Sequence, residues 1–212
     1  METFDYSKLV TEGTRGKFHN LMHSMLEKAP LIENAVILEP GFGGGEHLKF
    51  VPKKYSKYIG VDLSDNNLVK KEEFPNFEFR IGNVEKLQFP NESFDRVVVT
   101  CLFHHLENPQ IALQEIRRVT RPGGIISILL PCDPGWAYRS ARKLTSDRFL
   151  SNKYNINVKL LRAVEHRNHY ASLNSMISEN FKADKIIKTN FPFRVQLWNL
   201  NFFTIYQIRI LG

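Results

Sequence analysis

The sequence predicts one α/β domain: a seven-stranded, mostly parallel sheet with an antiparallel last strand and helices on both faces. Three observations carry this. Short apolar strands alternate with amphipathic segments from residue 36 to residue 130, a glycine-rich turn (Gly41-Phe-Gly43-Gly-Gly45) follows the first strand, and the chain closes on two strands, 183–190 and 201–210, joined by a short connection. Alternating strands and helices build a parallel sheet, whereas a connection too short for a helical crossover favours an antiparallel pair. At 212 residues the chain is long enough for one such domain and short for two.

Phe18, Leu21, Met22, Met25 and Leu26 recur at three- and four-residue spacing, which predicts an amphipathic helix over 14–28 stopped by Pro30. Ahead of it, Tyr6 and the segment Thr11 to Gly16 read as loop, so residues 1–30 form an N-terminal loop and helix. Val36-Ile-Leu38 is the first strand, Glu39 stands at its end, and Glu46-His47-Leu48-Lys49 resume a helix-compatible pattern after the glycines. Glycines so spaced let the backbone turn sharply and lie against a ligand, and a following helix aims its unpaired N–H groups at the same place.

The dinucleotide fingerprint has its third glycine where this chain has Glu46. A carboxylate there repels a pyrophosphate, so the loop suits a ligand without phosphates, and Glu39 is placed to meet positive charge on it.

The second strand, Tyr58 to Asp62, ends on an acid about 20 residues past the glycines, where a carboxylate accepts both ribose hydroxyls. Asp62 is alternatively the cap of a helix beginning near Ser64 and Asp65. Leu63 then lies against a nucleobase. The third strand, Phe77 to Ile81, leads to Asn83, which can both accept from and donate to an adenine edge, and to Val84, which covers the ring; as a turn residue Asn83 needs no ligand.

The fourth strand, Arg96 to Thr100, brings Thr100, Cys101, Phe103, His104 and His105 to the same sheet edge. Either histidine can take a proton near neutral pH, or serve only to hold the next helix. Asn108 caps that helix and Pro109 starts it; Ile111, Ala112, Ile116 and Val119 face the sheet, and Gly123 and Gly124 end it. The fifth strand, Ile125 to Leu130, delivers Pro131 to Gly135.

Residues 132–171 depart from this alternation and are expected to face the substrate. They interleave Trp136, Tyr138, Phe149 and Tyr154 with Arg139, Arg142, Lys143, Arg148, Lys153, Lys159 and Arg162. Such a mixture grips phosphate or rests at a membrane interface, or is simply a solvated helix face with aromatics turned inward.

Several motifs together resemble one family. Glu39-Pro-Gly41-Phe-Gly43-Gly-Gly45 matches the E-x-G-x-G-x-G motif of class I methyltransferases. Gly82-Asn83 through Ser93-Phe-Asp95, then Cys101-Leu-Phe-His104-His105-Leu, then Arg121-Pro-Gly-Gly124, resembles the type-11 methyltransferases from about residue 36 to 130. Asn83 departs from the family's usual Asp. Glu165-His166-Arg-Asn-His169-Tyr170 resembles a passage that many members place beside the acceptor.

The resemblance implies a Rossmann-like fold with S-adenosyl-L-methionine as cofactor and S-adenosyl-L-homocysteine as product. The cofactor contacts it implies are Glu39, Gly41, Gly43, Gly45, Asp62, Leu63, Asn83, Val84, Thr100 and Cys101. His105 and His169 are the candidate bases; His104, His166, Tyr170 and Tyr6 are the candidate substrate contacts, with Tyr6 or Arg15 in an N-terminal lid. The acceptor is an oxygen or nitrogen of a small molecule, such as a phosphorylated or nucleotide-linked sugar or a lipid headgroup. Three rivals stand beside this: a nicotinamide-dependent oxidoreductase, an RNA methyltransferase or basic nucleic-acid-binding protein, and a catalytically silent cofactor-binding homologue.

A net charge of +7 favours an anionic acceptor and peripheral contact with anionic lipid, or is merely a soluble basic surface. There is no N-P-P-Y-like base-flipping motif, and the nucleic-acid signal is weak. Cys101 and Cys132, the only cysteines, form no disulfide framework and no metal-ligand cluster, so no metal is expected. Without an apolar run of about 20 residues or a basic-then-apolar leader, a cytoplasmic location is expected. Oligomeric state is left open.

Overall fold

The structure is a computed structural model that describes residues 13–65, 69–70, 72–74, 76–148, 151 and 157–212. Its seven strands are β1 (Val36–Pro40), β2 (Lys57–Asp62), β3 (Phe77–Ile81), β4 (Phe94–Thr100), β5 (Thr120–Pro131), β6 (Lys185–Phe191) and β7 (Phe203–Arg209). They lie in the order β3-β2-β1-β4-β5-β7-β6. β1 to β5 pair in parallel, while β7 runs antiparallel to both β5 and β6. The fold is therefore the one the sequence predicts, down to the closing antiparallel pair.

The helices are α1 (Gly13–Leu26), α2 (Pro109–Val119), α3 (Trp136–Arg142, prolonged by a π-turn over Lys143–Asp147), α4 (Val158–Glu165) and α5 (Tyr170–Asn180). Val97, Val98 and Val99 are fully buried because helices and loops cover both sheet faces. Their side chains alternate: Val97 and Val99 join the layer with α2 and α5, while Val98 joins the layer with Phe42, Tyr58 and Leu26. Among the described residues, no helix is long and apolar enough to cross a membrane.

Five local expectations need correction. The segment after the glycines is not an α-helix but a single 3-10 turn, Leu48–Phe50, so it offers no helix N-terminus to an anion. In α2 the buried positions are Ala112, Leu113, Ile116 and Val119, while Ile111 is 44% exposed: the apolar face is turned one residue on. The Asn108 side chain makes no cap bond and donates instead to Glu85; α2 ends at Val119, and β5 begins before the glycines expected to end the helix. In α1, Leu21 is 40% exposed and two histidines, His19 and His23, occupy the buried face.

Candidate functional site

The glycine loop leaves the carboxyl end of β1 and folds back over β2. The N–H groups of Gly41 and Phe42 donate to the Val61 carbonyl at 2.8 and 3.1 Å. Phe42 is the plug of the loop. It is buried, stacks on Phe77 with ring centroids 4.9 Å apart, and fills the place that a side chain at Gly60 would take.

The glycines divide the work. Gly43 and Gly45 both have positive φ, 55° and 85°. A Cβ on Gly45 would meet Val69 and Phe42 atoms at 2.4 to 2.9 Å, so Gly45 serves packing, as Gly41 does against Leu102. At Gly43 the same space is open, with only Glu46 Oε2 at 3.6 Å. Gly43 is thus the glycine past which a ligand can approach, and it is overlooked by a carboxylate.

The Asp62 carboxylate reaches this loop. Oδ2 accepts the Gly43 N–H at 2.9 Å, and Oδ1 accepts the Ser64 N–H at 3.4 Å; among the described residues no helix begins at Ser64 or Asp65, so this second bond holds a bend and is not the helix cap offered as the alternative. Beside it Leu63 is 70% exposed, and Ile81, the register partner of Asp62 on β3, is 69% exposed. They leave a small apolar rim at the carboxyl ends of β2 and β3. Asn83 Oδ1 accepts the Glu85 N–H at 2.8 Å, which is the turn role the sequence offered as its alternative, while Val84 lies in the core.

Glu39 lies beneath the crevice rather than open to it. It is 1% exposed; Oε2 accepts the Tyr58 hydroxyl at 2.7 Å and Oε1 accepts the Thr100 hydroxyl at 3.3 Å. Burial raises its pKa to about 7, against the pull of His47 and the two hydroxyl bonds. Cys101 follows with φ 51°, and burial pushes its thiol up to about 12, so it stays protonated and is no nucleophile near neutral pH.

A buried polar chain behind the loop escaped the sequence reading. His19 Nε2 and His23 Nε2 share a hydrogen bond of 2.8 Å, His23 Nδ1 and His47 Nδ1 another of 2.8 Å, and His47 Nε2 bonds Glu27 Oε1 at 3.0 Å. Glu27 then receives both guanidinium Nη atoms of Arg96 at 2.7 and 2.8 Å. Arg96 donates onward to Ser127, Ser127 to Gln207, and Gln207 to the Leu26 carbonyl at the end of α1. The chain ties α1 to the glycine loop and to three strands. A helical spacing of four between His19, His23 and Glu27 was the available signal, masked by the neighbouring apolar residues.

Past the carboxyl end of β4, His104, His105 and His166 come together. Ring centroids lie 4.0 Å apart for His104 and His105, 4.5 Å for His104 and His166, and 5.3 Å for His105 and His166. Asp133, at the end of β5, binds His166 Nδ1 at 2.6 Å. Burial raises the Asp133 pKa, but the His166 bond and the charge of Arg142 outweigh it, so the carboxyl stays below its usual range. An acid that orients an imidazole this way fixes which nitrogen faces the site. Asp133 was not singled out from sequence, although its place just past a parallel strand is where site residues gather.

The remaining candidates are dispersed. His169 is an exposed residue at the N-cap of α5, outside the cluster. Tyr170 is a correction: its ring is 2% exposed in the core and its hydroxyl bonds Thr204 at 2.9 Å, which is a structural post and not an acceptor-side one. In the 132–171 segment Trp136 is 66% exposed, but Arg142 turns inward to Asp133 and Asp147. Tyr6, Phe149, Lys153 and Tyr154, and the side chains of Arg15, Lys159 and Arg162, lie outside the described residues.

Residues 38–128 match the family model for the type-11 methyltransferase domain. An uncharacterized methyltransferase of Schizosaccharomyces pombe is 37% identical over 106 residues, 42% of this chain and 37% of that protein. A ubiquinone/menaquinone biosynthesis C-methyltransferase of Coxiella burnetii is 36% identical over 69 residues, 32% of this chain and 28% of that one. The chain thus spans only about a third of the length of these curated relatives. The crystal structure of a SAM-dependent methyltransferase from Aquifex aeolicus has a TM-score of 0.64 at 18% identity, covering 98% of this chain and 100% of that one, a likeness of fold. The matched residues contain the glycine loop, Asp62, Asn83 and the histidine pair after β4, and it is over this part of the chain that it is similar to the type-11 methyltransferase domain.

Proposed function

We propose that this domain transfers the methyl group of S-adenosylmethionine to an oxygen or nitrogen of a small, anionic acceptor. The observation that carries the reading is the carboxylate of Glu46 beside the open face of Gly43. A diphosphate entering there meets a like charge and, with only a 3-10 turn following, no helix dipole to offset it. A cationic nucleoside without phosphate meets attraction instead. Asp62 is the ribose partner in this reading; Leu63 flanks the adenine, Asn83 reads its edge, and Thr100 and Cys101 approach the methionine end. Cofactor binding supplies an activated methyl on a sulfonium.

The rest is done by the chain's own residues: they bring the acceptor into line with carbon and sulfur and keep water out. His105, exposed at the carboxyl edge of β4, is assigned as the base where the acceptor is a hydroxyl or ammonium, with His104 and His166 as its acceptor-side neighbours. His169 is the second candidate. The net charge of +7 favours a phosphorylated or nucleotide-linked sugar or a lipid headgroup, the last implying peripheral membrane contact.

Calorimetric titration with S-adenosylhomocysteine and, separately, NADH tests the cofactor. Binding of the first alone is expected; binding of NADH alone overturns the reading in favour of an oxidoreductase. Incubation with methyl-labelled cofactor and fractionated metabolites then names the acceptor. Label on carbon, as the name of the Coxiella relative suggests for that enzyme, or label on RNA, would replace the acceptor class proposed here.

A further inference from the structure

We propose that His104, His105 and His166 form a binding site for a divalent transition-metal ion, with Asp133 as the residue that positions His166. One ligand-capable nitrogen from each histidine lies within 4.8 Å of the others. Three imidazoles are a donor set suited to Zn²⁺, Co²⁺, Ni²⁺ or Cu²⁺, and three protein ligands leave a fourth position for solvent or an acceptor atom. Nitrogens at ordinary Zn–N distances in a tetrahedron are about 3.4 Å apart. Closing from the observed separation is a matter of side-chain rotation, for which exposed His105 has room.

Two further features set this cluster apart from histidines that merely pack. Asp133 binds Nδ1 of His166 at 2.6 Å, and a carboxylate–histidine pair is the usual outer partner of a metal-bound imidazole. The segments that carry the ligands are also locked together. The His104 carbonyl accepts the N–H groups of Arg167 and Asn168 at 2.9 and 3.3 Å, and the Asn168 side-chain amide donates to the carbonyls of Phe103 and Leu106 at 3.2 and 2.7 Å. Most of the ordering that binding requires is thus already present in the free protein.

The inference goes beyond methyl transfer and does not depend on it. A cation held by all three lone pairs takes these imidazoles out of service as bases, so the loaded and metal-free forms differ in acceptor chemistry while sharing one cofactor site.

The test is titration of chelator-treated full-length protein with Co²⁺, followed by visible absorption and calorimetry, then displacement by Zn²⁺. One equivalent with the intense bands of low-coordinate Co²⁺ is expected. His105→Ala and His166→Ala should each weaken binding at least tenfold and abolish those bands. Asp133→Asn should weaken binding ten- to a hundredfold and shift the bands while keeping one equivalent. Thermal melting of each variant reports folding independently of any cofactor, and exposed His105 decides the matter if His166→Ala does not fold. Absence of stoichiometric Co²⁺ binding, or His105→Ala binding Co²⁺ as the unaltered protein does, overturns the proposal.

Discussion

The backbone N–H of Gly43 donates to Oδ2 of Asp62 at 2.9 Å, so the open face of the glycine loop and the end of β2 are one unit. A ligand that takes the proposed ribose position meets a carboxylate already aimed by the loop. Asp62→Ala removes both the proposed ribose acceptor and the tie that holds Gly43. We expect S-adenosylhomocysteine to bind more weakly by about 1–3 kcal/mol, the cost of leaving buried polar partners unmatched. Calorimetry on the variant measures this, and unchanged affinity removes Asp62 from the site.

Gly43 and Gly45 make a paired prediction, because they share a backbone conformation but not a neighbourhood. Alanine at either adopts an unfavourable positive φ, at about 1–2 kcal/mol. At Gly45 the added methyl also strikes Phe42 and Val69, which adds about 1–3 kcal/mol of overpacking. Gly45→Ala is therefore expected to lower denaturant stability more than Gly43→Ala. Gly43→Ala, whose methyl makes only an ordinary contact with Glu46 and points into the crevice, is expected to lose more cofactor affinity. Equal stability losses in the two variants would mean that Phe42 yields without cost.

The sheet was legible because buried parallel strands write themselves as apolar runs, such as Val97-Val-Val99, and because the last connection is short. The loop was legible as a motif, but not the separate duties of its glycines. Those depend on Phe42, Leu102 and Val69, two of them far away in sequence. The His19-His23-His47 chain was hidden because its partners Glu27, Arg96 and Ser127 come from three elements, and no local pattern announces a polar group that is satisfied at long range. Tyr170 misled for the converse reason. Its place in a family-like passage suggested an acceptor contact, whereas Thr204 and the core claim it.

His105 and His169 separate by replacement with Gln, which keeps size and polarity but cannot titrate. If His105 is the base, His105→Gln lowers turnover about 10²–10⁴-fold at neutral pH with cofactor affinity unchanged, while His169→Gln has little effect. The reverse pattern moves the role to the N-cap of α5. Full activity in both leaves alignment without a base.

Glu39 gives a pH signature of its own. Its carboxyl has a folded pKa near 7 against an ordinary 4.5, so from pH 4.5 to 7 the folded protein holds a proton that the unfolded chain has lost. The stability this contributes is complete below 4.5 and is lost as pH rises through 7, up to about 3 kcal/mol. Glu39→Gln removes the titration. We expect the variant to match the unaltered protein near pH 5 and to exceed it in denaturant stability at pH 8. A variant less stable at pH 8 would show that the ionised carboxylate is held comfortably by Tyr58 and Thr100.

The histidine chain acts with the opposite sign and prevails on acidification. Burial lowers the pKa of His19 to about 4 and drives that of His23 far down, with Lys49 and His47 adding to the effect, so both rings stay neutral where the unfolded chain protonates them. From pH 6.5 down to 4.5 the unfolded state therefore binds two protons that the folded state lacks, while Glu39 binds one the other way. The balance is one proton, about 1.4 kcal/mol of stability lost per pH unit. Below 4.5 the Glu39 contribution ends. Glu27, whose pKa is held near 2 by His47 and Arg96 against the opposing cost of burial, joins the histidines, and the loss steepens. Urea denaturation between pH 7.5 and 4 should show a shallow decline followed by a sharp one. His19→Gln should flatten the upper limb, because Gln can still donate to His23 but takes up no proton. Since α1 reaches the glycine loop through these rings, cofactor affinity is expected to fall over the same pH range. A decline in stability with no change in affinity would show that α1 docks independently of the loop.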